Sequence, residues 1–376
     1  MKKVTSLVLN NFTNDSRVLK ENISLQKAGY YVNVVALYDI TLKEYEKVQN
    51  VPVSRIRLKT RNWSKNKAIQ LIKYLEFLFR VVKQYKNSDI IHCNDLNSLP
   101  IGVIIKKFFN RKVKIVYDAH EYEINDIPNQ STKSIKIKFY IEKFFIKYAD
   151  KVITVSNAIA DEYVKLYDIE KPALVLNTPS FKAIKKKNIF RETLGIDNKN
   201  RIFLYQGGLS KGRGIEILLN VFKTIKNDEV VIVFMGYGPL ESLIEEASKE
   251  YKNIYLHKTV PPEILLDYTS SADFGISTIE DCCLSYRYCL PNKMFEYLMA
   301  EIPVVVSNLY EMKRLVESNG IGIVAQQNTT EGLIVAIKEA INLDKKQLEV
   351  NIQKVKSVYN WENQEKVLLS VYKDLV

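Results

Sequence analysis

Residues 207–214 read Gly-Gly-Leu-Ser-Lys-Gly-Arg-Gly, directly after an apolar run and directly before a helical pattern. Glycines let a backbone come close to a ligand, and a helix N-terminus favours an anion. Lys211 and Arg213 put two cations at that same end, where they oppose the helix dipole. The arrangement is poor for stability and good for phosphate. It is neither a P-loop nor a G-x-G-x-x-G fingerprint, and a plain turn is the alternative. Gly236 and Gly238 follow the next apolar run in Gly-Tyr-Gly-Pro. They suit a nucleobase or ribose lying against the backbone, and they suit an ordinary turn equally. His120 follows a third apolar run, flanked by Asp118 and Glu121, which would fix its tautomer. A structural histidine is the alternative. Glu296 sits in the stretch PNKMFEYLMAEIPVVVS, in the first turns of a short helix. There it either offsets the helix dipole or accepts hydrogen bonds from a ligand's hydroxyls.

Missing patterns narrow the chemistry. There is no Asp-x-Asp pair to hold a metal-bound diphosphate and no G-x-S-x-G elbow. Cys93, Cys282, Cys283 and Cys289 lack zinc spacing, and the chain has 3 histidines to help them. Glu280 and Asp281 follow a strand pattern, but adjacent side chains point apart. No metal is expected, and the thiols read as free in a reduced cytoplasm.

The elements that must position these residues alternate between strand-like and helix-like patterns. Strands are expected at 4–9, 32–37, 89–93, 113–118 and 152–156, with a further extended pair at 175–176. Helices are expected at 16–28, 68–86, 99–109, 135–149 and 158–166. A basic link at 182–187 marks a domain boundary. A second series follows, with strands at 201–206, 230–235, 254–257, 272–277 and 304–306. Its helices are 214–225, 240–249, 263–270 and 293–300, with an amphipathic helix at 361–376. The reading is α/β: two parallel sheets, each with helices on both faces. A length of 376 residues also favours two domains. Ligands in such sheets bind at the carboxyl ends of strands, where these motifs fall.

The net charge of +12 is uneven. Residues 1–180 hold 30 Lys+Arg and 18 Asp+Glu, while residues 181–376 hold 25 of each. The first half is therefore expected to meet something anionic, unless the lysines only solvate its surface. Residues 51–86 carry ten Lys/Arg against the single acid Glu76, and 133–147 interleaves lysines with Ile, Phe and Tyr. A basic amphipathic helix beside aromatics suits an anionic membrane surface; a buried helix with a solvated lysine face is the alternative. The apolar run at 4–9 is too short for a signal peptide, and no run is long enough to span a bilayer.

Taken in order, YDAHE, VSNAIADEY, QGGLSKGRGIEILL, FMGYGPLE, YTSSADFGIS and LPNKMFEYLMAEIPVVVS resemble the retaining GT-B glycosyltransferases of family 4, over almost the full length. The resemblance implies two Rossmann-like domains facing across a cleft. Residues 1–180 would bind the acceptor and 181–360 the nucleotide-sugar, with the helix at 361–376 packing back on the first domain. Glu296 matches the second acid of the family's E-x7-E motif, which holds the ribose hydroxyls; two acceptor oxygens suit a vicinal diol. The first acid's position holds Tyr288, a departure. Leu290, Pro291, Asn292 and Lys293 occupy the loop whose backbone amides approach the donor sugar. The family's diphosphate Arg falls at Gly208, a second departure, and its Lys at Arg213. Lys211 is the candidate replacement for the missing cation. His120 matches the cleft histidine beside the donor sugar. Asp15 and Arg17 are candidates for acceptor or phosphate contacts, although a local capping role at the following helix is preferred for Asp15.

The expected reaction is metal-independent transfer from a nucleotide-diphosphate sugar, UDP favoured by family frequency, to a hydroxyl of a cell-surface glycan or glycolipid, with retention. No cofactor beyond the donor is expected. The expected setting is cytoplasmic, at the inner face of the cell membrane if the basic half meets lipid. A sugar-nucleotide epimerase of the same fold and a non-catalytic nucleotide-sugar-binding subunit are the alternatives. Nucleic acid is not expected as a partner, because no recognised module is present.

Overall fold

Runs of β-branched residues give parallel strands, and amphipathic stretches between them give the crossover helices, twice along the chain. A computed structural model describes residues 1–225 and 229–375. One unit comprises Met1–Asn125, Gln130–Val175 and the residues from Glu365; the other comprises Asp126–Asn129 and Leu176–Gln364.

The first unit contains β1 (Lys3–Leu7), α1 (Ser16–Lys27), β2 (Tyr31–Leu37), β3 (Tyr45–Val48), β4 (Val51–Ile56), α2 (Lys67–Tyr85) and β5 (Ile90–Asn94). It continues with α3 (Leu99–Ile104), β6 (Lys114–Ala119), α4 (Thr132–Phe145), β7 (Lys151–Thr154), α5 (Asn157–Tyr167) and β8 (Ala173–Leu174). The sheet order is β3-β4-β2-β1-β5-β6-β7-β8. Its pairs are parallel except β3 with β4. That hairpin is absent from the sequence reading. Its turn residues Gln49 and Asn50 both adopt positive φ, 47° and 69°, as a two-residue hairpin requires, but without the glycine that usually announces one. The helix expected at 99–109 is α3 followed by a π-helical turn, Ile105–Phe109.

The second unit contains α6 (Ile189–Leu194), β9 (Arg201–Gly208), α7 (Ile215–Thr224), β10 (Val230–Tyr237), α8 (Glu241–Glu250), β11 (Ile254–His257), α9 (Pro262–Thr269) and β12 (Phe274–Ser277). It continues with α10 (Leu284–Arg287), α11 (Asn292–Met299), β13 (Val304–Ser307), α12 (Tyr310–Asn319), β14 (Gly322–Ala325), α13 (Thr330–Ile341) and α14 (Lys345–Val358). A last helix, α15 (Trp361–Lys373), begins in this unit, and its residues from Glu365 belong to the first. The sheet is parallel, in the order β11-β10-β9-β12-β13-β14. The winding reverses between β9 and β12, so the carboxyl end of β9 lies at a topological switch point, where such sheets bind ligands.

Successive residues of β9 feed opposite faces of this sheet. Phe203 and Tyr205 join Leu218, Phe222 and Phe234 on one side, while Leu204 joins Val233, Met294 and Tyr297 on the other. Each fully buried side chain of this size contributes roughly 1.5–3 kcal/mol. α11 lies flat on the sheet because β12 offers Gly275, where a Cβ would come within 2.2 Å of the Tyr297 ring. The Tyr297 hydroxyl then accepts from the Gln206 amide at 3.0 Å and donates to the Ile276 carbonyl at 3.2 Å. This fixes α11 against the ends of β9 and β12.

Candidate functional site

The end of β9 opens where Gly207 and Gly208 replace side chains. Gly207 takes φ +119°, a value that favours glycine, and no atom lies within 4 Å of where a Cβ on Gly208 would stand. Gly236 and Gly238 are set against the chain's own backbone. A Cβ on Gly236 would meet the Gly207 carbonyl at 2.0 Å, and one on Gly238 the Leu209 carbonyl at 2.5 Å. These two glycines let β10 close against the chain's own backbone, so their small size is explained without a ligand.

Glu296 stands half-buried beside that opening and accepts from the Gln206 side-chain amide. The Gln206 carbonyl accepts in turn from Thr269 Oγ1 at 2.9 Å. Thr269 and Gln206 thus hold the carboxylate in place, and neither is visible as a motif. The pattern Gln-Gly-Gly at a strand end is the one signal that could have exposed Gln206. Tyr288, where the family has its first motif acid, packs edge-on to Tyr310 with ring centroids 6.4 Å apart.

The cations separate into three environments. Lys211 is exposed on the loop. Arg213 is half-buried, its guanidinium 4.4 Å over the Tyr286 ring. Lys293 is buried in the first turn of α11, its ammonium 3.6 Å from the Tyr205 ring centroid. The N-terminus of α7, expected to receive phosphate, already has an anion: Glu280 Oε1 accepts from the Gly214 amide at 3.2 Å. Gly214 is required there, since at φ +77° a Cβ would strike the Thr278 carbonyl. The N-terminus of α11, beginning after Pro291 and including Asn292 and Lys293, has no side-chain cap. α7 likewise lacks an N-cap side-chain bond, but Glu280 already stands at its start, so the first amides of α11, with Leu290 just before them, are the more open to an anion.

His120 belongs to the first unit. Its ring nitrogens face Asp118 at 3.1 Å and Asp95 at 3.2 Å. Burial opposes a charge on this ring, but the two carboxylates outweigh it and push the imidazole up to about 10. Both nitrogens are thus occupied by acids. Asp95, held at positive φ of 61°, is the partner that sequence adjacency does not reveal. Arg17 is a buried structural group: it donates to Asp118 at 2.8 Å and to the Val175 carbonyl at 2.6 Å, and pairs with Glu21 at 3.1 Å. Asp15 is the N-cap of α1, accepting from the Val18 amide. Glu21, His92 and Asp118 lie close enough together to suggest a metal site, but the Arg17 guanidinium already supplies the positive charge there.

Residues 23–177 match the family described as Glycosyltransferase Family 4, and residues 186–356 match Glycosyl transferases group 1. The chain belongs to the GT-B glycosyltransferases. An uncharacterized glycosyltransferase of Methanocaldococcus jannaschii is 24% identical to it, over 93% of this chain and 91% of its own. The fold is similar to that of a sucrose-phosphate synthase from Thermosynechococcus elongatus, with a TM-score of 0.81, 17% identity and 100% and 99% of the two chains covered. It is also similar to Anabaena HepE in complex with UDP-glucose, with a TM-score of 0.75, 16% identity and 100% of each chain covered.

Proposed function

We propose that this glycosyltransferase moves a sugar from a nucleotide-diphosphate sugar, UDP-sugar favoured, to a hydroxyl of a cell-surface glycan or glycolipid, with retention and without a metal ion. The observation that carries this reading is Glu296, a carboxylate held by Gln206 and Thr269 beside an opened strand end at a switch point. Its two oxygens suit a ribose diol. A structure of similar fold, Anabaena HepE, holds UDP-glucose. The N-terminal region binds the acceptor and the C-terminal region binds the donor.

In the transfer, the bond between the anomeric carbon and the diphosphate oxygen breaks. The acceptor oxygen bonds to that carbon from the same face, and the acceptor's proton passes to the departing diphosphate. Arg213 and the uncapped start of α11 stabilise the charge that gathers on the leaving group. Lys211 is the other cation that the loop offers, and it is exposed.

Attachment at an anionic membrane surface fits the outer face of α4. Glu142 ties the inner face down, accepting from Tyr163 at 2.7 Å and Tyr167 at 2.6 Å. Ile137, Tyr140 and Phe144 are left exposed among lysines, and α2 leaves Leu71, Leu75 and Phe79 exposed as well. Among the described residues, no helix is long and apolar enough to cross a membrane.

Donor turnover in EDTA tests the reading. Nucleoside-diphosphate release would be followed chromatographically with UDP-, GDP- and ADP-glucose and a membrane extract as acceptor source. Release from one donor class, lost in Glu296→Gln, is expected. Binding without release from any donor would favour a non-catalytic subunit, which the departures at Tyr288 and Gly208 make the competing reading.

A further inference from the structure

We propose that the Lys293 side chain, not Lys211, is the second diphosphate-binding cation of this enzyme, engaging the anion as its missing hydrogen-bond partner. The inference rests on the donor-site reading above and names a side chain where the family resemblance implied only a backbone amide.

Lys293 is 8% exposed, and its ammonium has no hydrogen-bond partner. Its contact is the face of the Tyr205 ring. A Cβ on Gly207 would lie 3.7 Å from the ammonium, so the glycine at the β9 end leaves open the space beside it. The groups acting on this ammonium are Arg213 from the loop before α7, Glu296 from α11, Cys289 before α11 and Tyr205 from β9. Burial and Arg213 lower its proton affinity, more than Glu296 and Cys289 restore it, and it falls to about 7.

A buried ammonium without an acceptor is expensive, and folded proteins normally pair or replace it. This unit shows the normal solution elsewhere. Lys356 is 1% exposed and donates to Glu301 at 2.6 Å. A methionine at 293 would fill the same space without the desolvation cost. Two cations in electrostatic range of one another, beside an uncapped helix start and a glycine-opened strand end, make a place for a doubly charged anion. A bound diphosphate would supply the acceptor and draw a proton onto Lys293.

The test is titration calorimetry of UDP, GDP and ADP, and of their monophosphates, near about pH 7.5 in two buffers of different ionisation enthalpy. One diphosphate should bind with net proton uptake, which is read on the wild-type protein alone. Lys293→Met should abolish the uptake and weaken the diphosphate about tenfold or more, with a smaller effect on the monophosphate. Glu296→Gln should weaken both nucleotides and leave the uptake in place. Unchanged diphosphate affinity in Lys293→Met, or uptake that survives it, overturns the assignment of Lys293 while leaving the donor site standing. No binding of any nucleotide by the wild type overturns the donor-site reading, and this proposal with it.

Discussion

Arg17 in the first unit and Lys293 in the second are both buried cations, but they are answered differently. Arg17 is met by Asp118, Glu21 and the Val175 carbonyl. Lys293 is met by an aromatic face and has no hydrogen-bond acceptor. The two units share a parallel α/β plan, so the contrast lies in the use of the strand ends rather than in the fold. Around Arg17, Asp118 at the end of β6 and Glu21 of α1 supply carboxylates to the guanidinium, while both Glu21 oxygens stay without a hydrogen bond. Around Lys293 the strand end carries glycines, and the charges in reach leave the ammonium unsatisfied. The contrast is between a buried cation that meets carboxylates and one that meets only an aromatic face.

The largest expected effect comes from removing the cation of the Arg17 cluster. Arg17→Met leaves Asp118 and Glu21 buried without their cation and should cost about 3–5 kcal/mol, read as a lower urea midpoint. A loss under about 1 kcal/mol would contradict the structural reading of Arg17. The next effect lies in the open site. Glu296→Gln should reduce affinity for the nucleoside diphosphate about tenfold or more while thermal stability changes little. Equal affinity would show that the carboxylate does not touch the donor.

Two pH profiles sharpen the same contrast. His120 is raised to about 10, so its contribution to stability is fully present below its unfolded value near about 6.5 and declines as pH rises through about 10. Lys293 is depressed to about 7, so the unfolded chain binds more protons above that pH, and its contribution makes stability rise between about 7 and about 10.4. His120→Gln and Lys293→Met should remove slopes of opposite sign in denaturation series across this range. Slopes left unchanged by both variants would remove the electrostatic basis of the comparison. The smallest effect is expected at the surface of α4. A Tyr140→Ser, Phe144→Ser pair should weaken co-sedimentation with phosphatidylglycerol vesicles a few-fold, with no change toward phosphatidylcholine. Indifference of the intact protein to lipid charge would remove the membrane reading.

Much of the fold was legible because buried parallel strands are apolar runs and their crossovers are amphipathic. The hairpin β3–β4 escaped because Gln49-Asn50 makes the turn without glycine. The elements from α12 to α14 were not anticipated, because no chemistry-bearing motif drew attention to residues 310–358. At the site, Glu296 and the Gly207–Gly208 opening could be picked out by type and position. Thr269 could not, and Gln206 only through the Gln-Gly-Gly at the strand end, because their value lies in a hydrogen-bond chain joining β9, α9 and α11. Asp95 reaches His120 through the fold rather than through adjacency. For Gly236 and Gly238 the sequence left a ligand contact and an ordinary turn equal, because it cannot distinguish backbone approach to a ligand from approach to another strand. The start of α7 looked open for the same reason, since its occupant, Glu280, is distant in sequence.

The most direct test of the account is thermal unfolding with UDP, GDP or ADP, each in EDTA, on the wild type and on Glu296→Ala. Ligand at about 100 times its Kd should stabilise the folded protein by about 2.7 kcal/mol. The account predicts a rise in Tm with one nucleotide class that persists in EDTA and disappears in the variant. No rise with any nucleotide, or an equal rise in Glu296→Ala, would contradict the assignment of the donor site to the ends of β9 and β12.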